Sequence, residues 1–237
     1  MMTEAEIHET IREIKSKFRL FMNGVVSQSM REKGFDYKLN FGIEYPRIKE
    51  IAAEYEPNHE LAQALWKENI RECKIMAGLL QPVETFYREI AEIWIEDMHY
   101  PELAEYTVMN LFQRLPYASE VVFPWMADDR KYFQLCGYLL MTRLLMKGWI
   151  LNERAEAEFL DQAFTELEGE SEMRRVAATA VCKFALQSKK NVRTILRLLG
   201  NLQKSSKLGV KNVAEEIKND IEYGLSLIHI SEPTRPY

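Results

Sequence analysis

Asp97, Glu102 and Glu105 straddle a helix break at Pro101, and Trp94 and Tyr100 stand within a few positions of them. This is where a carboxylate can be held beside an aromatic wall, so the three acids are candidate catalytic residues and the two rings the candidate wall. The surroundings supply the plainer reading. Ten acids fall between Glu84 and Asp129 and eight between Glu153 and Glu172, as solvated helix faces would give. Other familiar chemistries lack their residues. The ten glycines are never two positions apart, and no Gly-Lys-Ser/Thr loop occurs, so the usual phosphate cradles are absent. There is no His-Glu-x-x-His and no Gly-x-Ser-x-Gly, and His8, His59 and His99 are isolated from one another. No metal and no cofactor is expected.

The cationic pattern is the stronger signal. Net charge is −5 from 31 Lys and Arg against 36 Asp and Glu, yet Arg174 to Lys211 holds ten cations and no acid. The candidate binding residues are Arg174, Arg175, Lys183, Lys189, Lys190, Arg193 and Arg197; Lys204, Lys207 and Lys211 complete the run of ten. A smaller set, Arg31, Lys33, Lys38, Arg47 and Lys49, lies on and beside a long loop and could close over the same ligand. Cations on successive helices of a stacked array can line one concave strip, neutralise phosphates and bind in a salt-dependent way. A solvated basic face balancing an acidic body accounts for the same residues equally well.

The elements that must position these residues read as helices. Apolar residues recur at three- and four-residue spacing, as in Ile48, Ile51, Ala52 and Tyr55, and strand-like alternation is scarce. Pro46, Pro57, Pro82, Pro101 and Pro116 punctuate the pattern where a first helical turn can spare a donor. The spacing predicts helices near 4–20, 22–33, 46–55, 58–67, 69–80, 83–97, 101–114, 117–126, 129–147, 153–167, 171–187, 190–200 and 210–223. The longest irregular stretch runs from about Gly34 to Tyr45. Paired from residue 46 onward, the helices suggest an imperfect two-helix repeat. Met173–Leu186, with its small residues and apolar stripe, has the character of an inner helix.

No uncharged run reaches the length of a membrane span, and the N-terminus lacks the pattern of a signal peptide. Cys73, Cys136 and Cys182 are odd in number and far apart, which suits buried thiols in a reducing compartment, so a cytoplasmic setting is expected. Residues 225–237 resemble an in-frame translation of a sequencing-library adaptor and are read as a non-native tail, leaving 1–224 as a single helical-repeat domain.

Asn40–Glu54, His59–Lys74 and Met109–Ala118 resemble the AlkD-like DNA alkylation repair family. The resemblance implies an all-α, HEAT-like helical-repeat solenoid that cradles duplex DNA. It also implies hydrolysis of the glycosidic bond of N3- and N7-alkylpurines, without a metal and without flipping the base. Such a lesion is already a cationic leaving group, so a carboxylate, a placed water and aromatic faces suffice. The family's Trp/Asp segment corresponds here to Ile95–Tyr106, its cleft arginine to Leu135 and its second cleft tryptophan to a position near Ala180. Because all three positions depart from the family pattern, the resemblance carries fold and DNA binding further than it carries excision.

The sequence therefore predicts a DNA-binding relative of the alkylpurine glycosylases, monomeric, with no membrane partner. Its ligand would be duplex DNA, damaged or branched forms included. A non-catalytic protein-interaction scaffold is the alternative.

Overall fold

The structure is a computed structural model that describes residues 2–169 and 172–231. No strand occurs among them, and an isolated parallel bridge links Leu39 to Ile70. The chain divides into two compact units, Met1–Ala118 and Ser119–Tyr237.

The first unit contains α1 (Glu4–Leu20), α2 (Gly24–Glu32), α3 (Tyr45–Ala52), α4 (His59–Lys67), α5 (Arg71–Leu80), α6 (Arg88–Glu96) and α7 (Pro101–Asn110). Its starts are written in the sequence. Thr3 and Glu6 form a reciprocal capping box, while the Asn23 and Asn58 side chains accept from the Val26 and Leu61 N–H at 3.2 and 2.9 Å. Pro46 and Pro101 sit in first turns, where their missing donor costs nothing. At the centre lies α5, which packs against α3, α4 and α7 and is buried almost all round, from Arg71 through Gly78 and again at Leu80. A helix enclosed on every side must pair whatever charge it carries.

The second unit contains α8 (Ala118–Met126, its first residue belonging to the first unit), α9 (Lys131–Met146), α10 (Glu153–Glu168), α11 (Arg174–Ala185), α12 (Lys189–Leu202) and α13 (Leu208–Ser231). Asn152 and Ser188 cap α10 and α12, accepting from Ala155 and Asn191 at 2.9 and 3.0 Å. The inner helix is α11, packed on α9, α10, α12 and α13 through Ala177, Ala180, Val181, Phe184 and Ala185. Its small residues allow that many neighbours to approach. Residues 225–231 of the expected tail continue α13, and 232–237 lie outside the described residues.

Two expected helices are divided. The span 83–97 is a 3₁₀ turn at Val83–Thr85 followed by α6, because Phe86 leaves helical geometry and is buried against Trp94 and Phe112. The span 101–114 breaks at Leu111, which is fully buried, before a second 3₁₀ turn at Phe112–Arg114. Pro124 stands inside α8 and withdraws a backbone donor there.

Gly137 marks a close approach in the second unit. A Cβ there would lie 2.5 Å from the Met126 backbone nitrogen, so α8 and α9 meet backbone to backbone. Gly200 on α12 has nothing within 4 Å of the same position. Chemical denaturation should therefore separate two identical substitutions. Gly137→Ala is expected to cost about 2–3 kcal/mol through overpacking, whereas Gly200→Ala should stabilise by roughly 0.5–1 kcal/mol through the lost freedom of the unfolded chain.

Candidate functional site

The long loop at 34–44 is placed by charge rather than by regular structure. The Leu39 N–H donates to the Asn69 carbonyl and the Arg71 N–H to the Leu39 carbonyl, both at 3.3 Å. The fully buried Glu72 carboxylate accepts from the Phe41 and Ile43 N–H at 3.1 and 3.3 Å, and Arg71 Nη1 donates to the Ile43 carbonyl at 2.8 Å. Glu102 receives Arg71 through two parallel bonds of 2.9 and 2.6 Å. Burial opposes the Arg71 charge, but Glu102 and Glu72 more than restore it and hold its pKa above the ordinary arginine value. Backbone polar groups that the loop cannot pair within itself are thus satisfied by the Glu72 and Arg71 side chains, and Glu102 holds Arg71 in place.

So fixed, the loop carries Asp36 and Tyr37 to the wall of a cleft of about 470 Å³. The Asp36 N–H donates to Tyr100 Oη at 2.6 Å, and the Tyr100 ring stacks on Phe35 with centroids 4.8 Å apart. Across the cleft Trp66 and Trp94 stack nearly parallel, centroids 3.9 Å apart and planes 6° off. Lys74 Nζ lies 4.7 Å from the centre of the Trp66 ring, donates to the Trp66 carbonyl at 2.9 Å, and forms a salt bridge with Asp97. Trp94 Nε1 donates to Gln63. Two buried polar atoms of cleft residues, Tyr37 Oη and Trp66 Nε1, have no partner among the described residues. Burial, then the Glu102 charge, raises the Tyr37 pKa well above the phenol range, so the hydroxyl keeps its proton.

Trp94, Asp97 and Tyr100, expected to act together, line this one cleft. Glu102 does not join them, because its carboxylate is committed to Arg71. Glu105 stands exposed on α7 and does not line the cleft. Nor is Trp94 an open wall: it is 1% exposed, one face is covered by Trp66, and Phe86 meets it edge-on at 4.8 Å. Trp66 and Lys74 were not legible as site residues, since nothing local marks an indole 28 positions from its partner. Among the described residues no group of three His, Cys, Asp or Glu side chains could hold a metal ion.

The cations divide more finely than their spacing suggests. On α12, Lys189, Lys190, Arg193 and Arg197 fall within an arc of about 100° at helical spacing, and Lys204 follows in the turn just past the helix end. That arc faces away from buried Val192, Ile195, Leu199 and Leu202. Lys190 lies 3.6 Å from Glu156 and, with Arg197, borders a groove whose other wall is the acidic face of α10. Lys189, Arg193 and Lys204 are exposed, with no acid in ion-pair reach among the described residues. Arg174 is turned inward, donating to the Gly169 carbonyl with its Nε buried. Arg175 borders a groove shared with Glu216 and Asp220, and Lys183 is half-buried. In the first unit Arg31, Lys33, Lys38, Arg47 and Lys49 are all exposed, and Arg47 is paired with Glu50 and lies over the Phe21 ring.

The family profile for the DNA alkylation repair enzyme matches residues 14–168. The chain belongs to the DNA alkylation repair enzyme family. A solved structure, described as a new family of proteins related to the HEAT-like repeat DNA glycosylases with affinity for branched DNA structures, is similar with a TM-score of 0.74. The likeness covers 90% of this chain and 94% of that one at 15% identity, and it establishes an all-α, HEAT-like helical-repeat fold. No curated protein sequence matches the chain.

In this alkylation repair chain the cleft falls inside the family match, whereas α11, α12 and α13, with the cationic block, fall beyond its last residue. The arginine that organises the loop should be indispensable for stability. Arg71→Met leaves the fully buried Glu72 and the half-buried Glu102 without their shared cation and is expected to cost about 3–5 kcal/mol. Urea titration checks this against Arg88→Met, which removes one exposed i,i+4 pair and should cost under about 1 kcal/mol.

Proposed function

We propose that this member of the DNA alkylation repair family binds DNA, branched forms included, without excising alkylated bases. One observation carries the reading: Asp97, which alone of the three candidate acids lines the cleft, where Asp36 also stands, is neutralised by Lys74. Hydrolysis of an alkylpurine glycosidic bond needs negative charge facing a sugar that turns cationic. A carboxylate already engaged by a nearly buried ammonium has little left to give, and the indole that would flank the lesion has its face covered. Glu102 and Glu105 offer no substitute, one locked to Arg71 and the other in solvent.

Binding, by contrast, needs only displayed cations. Phosphate neutralisation releases counterions and lets a locally basic helix face hold DNA whatever the net charge. The outward stripe of α12 supplies such a face, and the likeness to proteins described as having affinity for branched DNA favours that class of ligand. The free, buried thiols of Cys73, Cys136 and Cys182 suit a protein working in the reducing cytoplasm.

Two measurements test this. Binding to branched and duplex DNA followed against salt should show a steep slope. The double variant Lys189→Glu, Arg193→Glu should flatten that slope by about two and weaken affinity roughly 10- to 100-fold. Incubation with methylated duplex DNA should release no free 3-methyladenine or 7-methylguanine from wild type or Asp97→Ala. Release by wild type that is lost in Asp97→Ala would overturn the non-excising assignment.

A further inference from the structure

Resting on the DNA-binding reading just given, we propose that the link between α1 and α2 is a wedge inserted between stacked bases at a DNA branch point. Leu20, Met22 and Val25 are 79, 60 and 80% exposed and Phe21 is 43% exposed, all within six consecutive positions. Single exposed apolar residues are ordinary, but a contiguous group marks a contact surface.

The link is rigid. The Asn23 N–H donates to the Phe41 carbonyl at 2.9 Å while its side chain caps α2. Gly42, at φ +69°, lets the neighbouring segment approach so closely that a Cβ would lie 2.3 Å from the Asn23 carbonyl oxygen. The four side chains are therefore displayed by a fixed backbone, and inserting them costs little ordering entropy.

Charge selects the partner. The Arg47 guanidinium lies 4.6 Å from the centre of the Phe21 ring while pairing with Glu50, and exposed Arg19, next to Leu20 in the chain, has no acid in ion-pair reach among the described residues and is the cation left to meet a phosphate. A wedge of Leu, Phe and Met flanked by guanidinium groups is how proteins unstack a base step while holding its phosphates. In an intact duplex that insertion must overcome full stacking. At a branch point stacking is already interrupted, so the wedge favours branched over continuous DNA.

The test uses the full chain and a three-way junction carrying 2-aminopurine at the branch, with a matched duplex as reference. Wild type should raise the fluorescence of the junction. Leu20→Ser with Met22→Ser should abolish the rise and weaken junction affinity about ten-fold, while the salt dependence set by phosphate contacts stays unchanged. Val25→Ser should reduce the rise in part. Ile150→Ser, which removes an equally exposed apolar side chain from the α9–α10 link, should leave it intact. Thermal melts that match wild type establish that loss of signal is not loss of fold. Binding with no fluorescence rise, or variants that keep it, would overturn the wedge alone. Failure of wild type to bind any DNA at low salt would overturn the DNA reading itself. Self-association that the Leu20 and Met22 changes abolish, with flat fluorescence, would assign the patch to protein contact instead.

Discussion

The first unit depends on one buried cluster of charge. Arg71 and Glu72 are adjacent at the start of α5, both almost fully enclosed, and Glu102 reaches them from α7. Burying three ions is expensive, and a well-packed apolar substitute is often as stable. What an apolar substitute lacks is hydrogen bonds. Glu72 and Arg71 between them satisfy two N–H groups and a carbonyl of the segment 41–43, which forms neither helix nor strand. Without them the loop would keep its polar groups hydrated and lift away from α5.

The cleft inherits its shape from that constraint. Asp36 and Tyr37 belong to the pinned loop, and Tyr100 meets both, through a hydrogen bond and a ring contact with centroids 4.7 Å apart. Glu102, two residues further, is held by the same Arg71 that holds the loop. One wall therefore hangs from the charged cluster. The other hangs from the Trp66–Trp94 stack and from Lys74, which ties the α4 carbonyl end to Asp97 at the end of α6. On that second wall the Lys74–Asp97 pair engages the one ammonium and the one carboxylate that line it.

How much of this was legible follows from the range of each signal. Helix positions are local: Ile48, Ile51 and Ala52, or Ile195, Leu199 and Leu202, announce their buried faces within two turns, and Asn23, Asn58, Asn152 and Ser188 announce the starts. The grouping of Trp94, Asp97 and Tyr100 was readable for the same reason. Trp66 and Lys74 were not, because their partners arrive from other helices and a lysine reads as surface by default. On the α5 wheel Lys74 and Arg71 fall together with Gly78 on an arc that carries none of Cys73, Ile75, Met76, Ala77 and Leu80, so the sequence reads that arc as a solvent face. Only the packing of α3, α4 and α7 around α5 encloses it, and the enclosed charges are then spent on partners.

The cationic block shows the complementary lesson, that sequence proximity misstates electrostatic proximity. Between Arg174 and Lys211 no acid appears, yet Glu153, Glu156, Asp161 and Glu168 of α10 border one groove with Lys190 and Arg197, and Glu216 and Asp220 of α13 border another with Arg175. Screening length decides what matters. At physiological salt a charge is felt over about 8 Å, so the surplus of acid on the molecule at large does little to a phosphate seated on α12. The carboxylates across a shared groove do a great deal. Of the stripe, Lys190 and Arg197 are partly spent on that acidic wall, whereas Lys189, Arg193 and Lys204 keep their field. The attraction this face exerts on a polyanion is set by those three residues and not by the net charge of the chain.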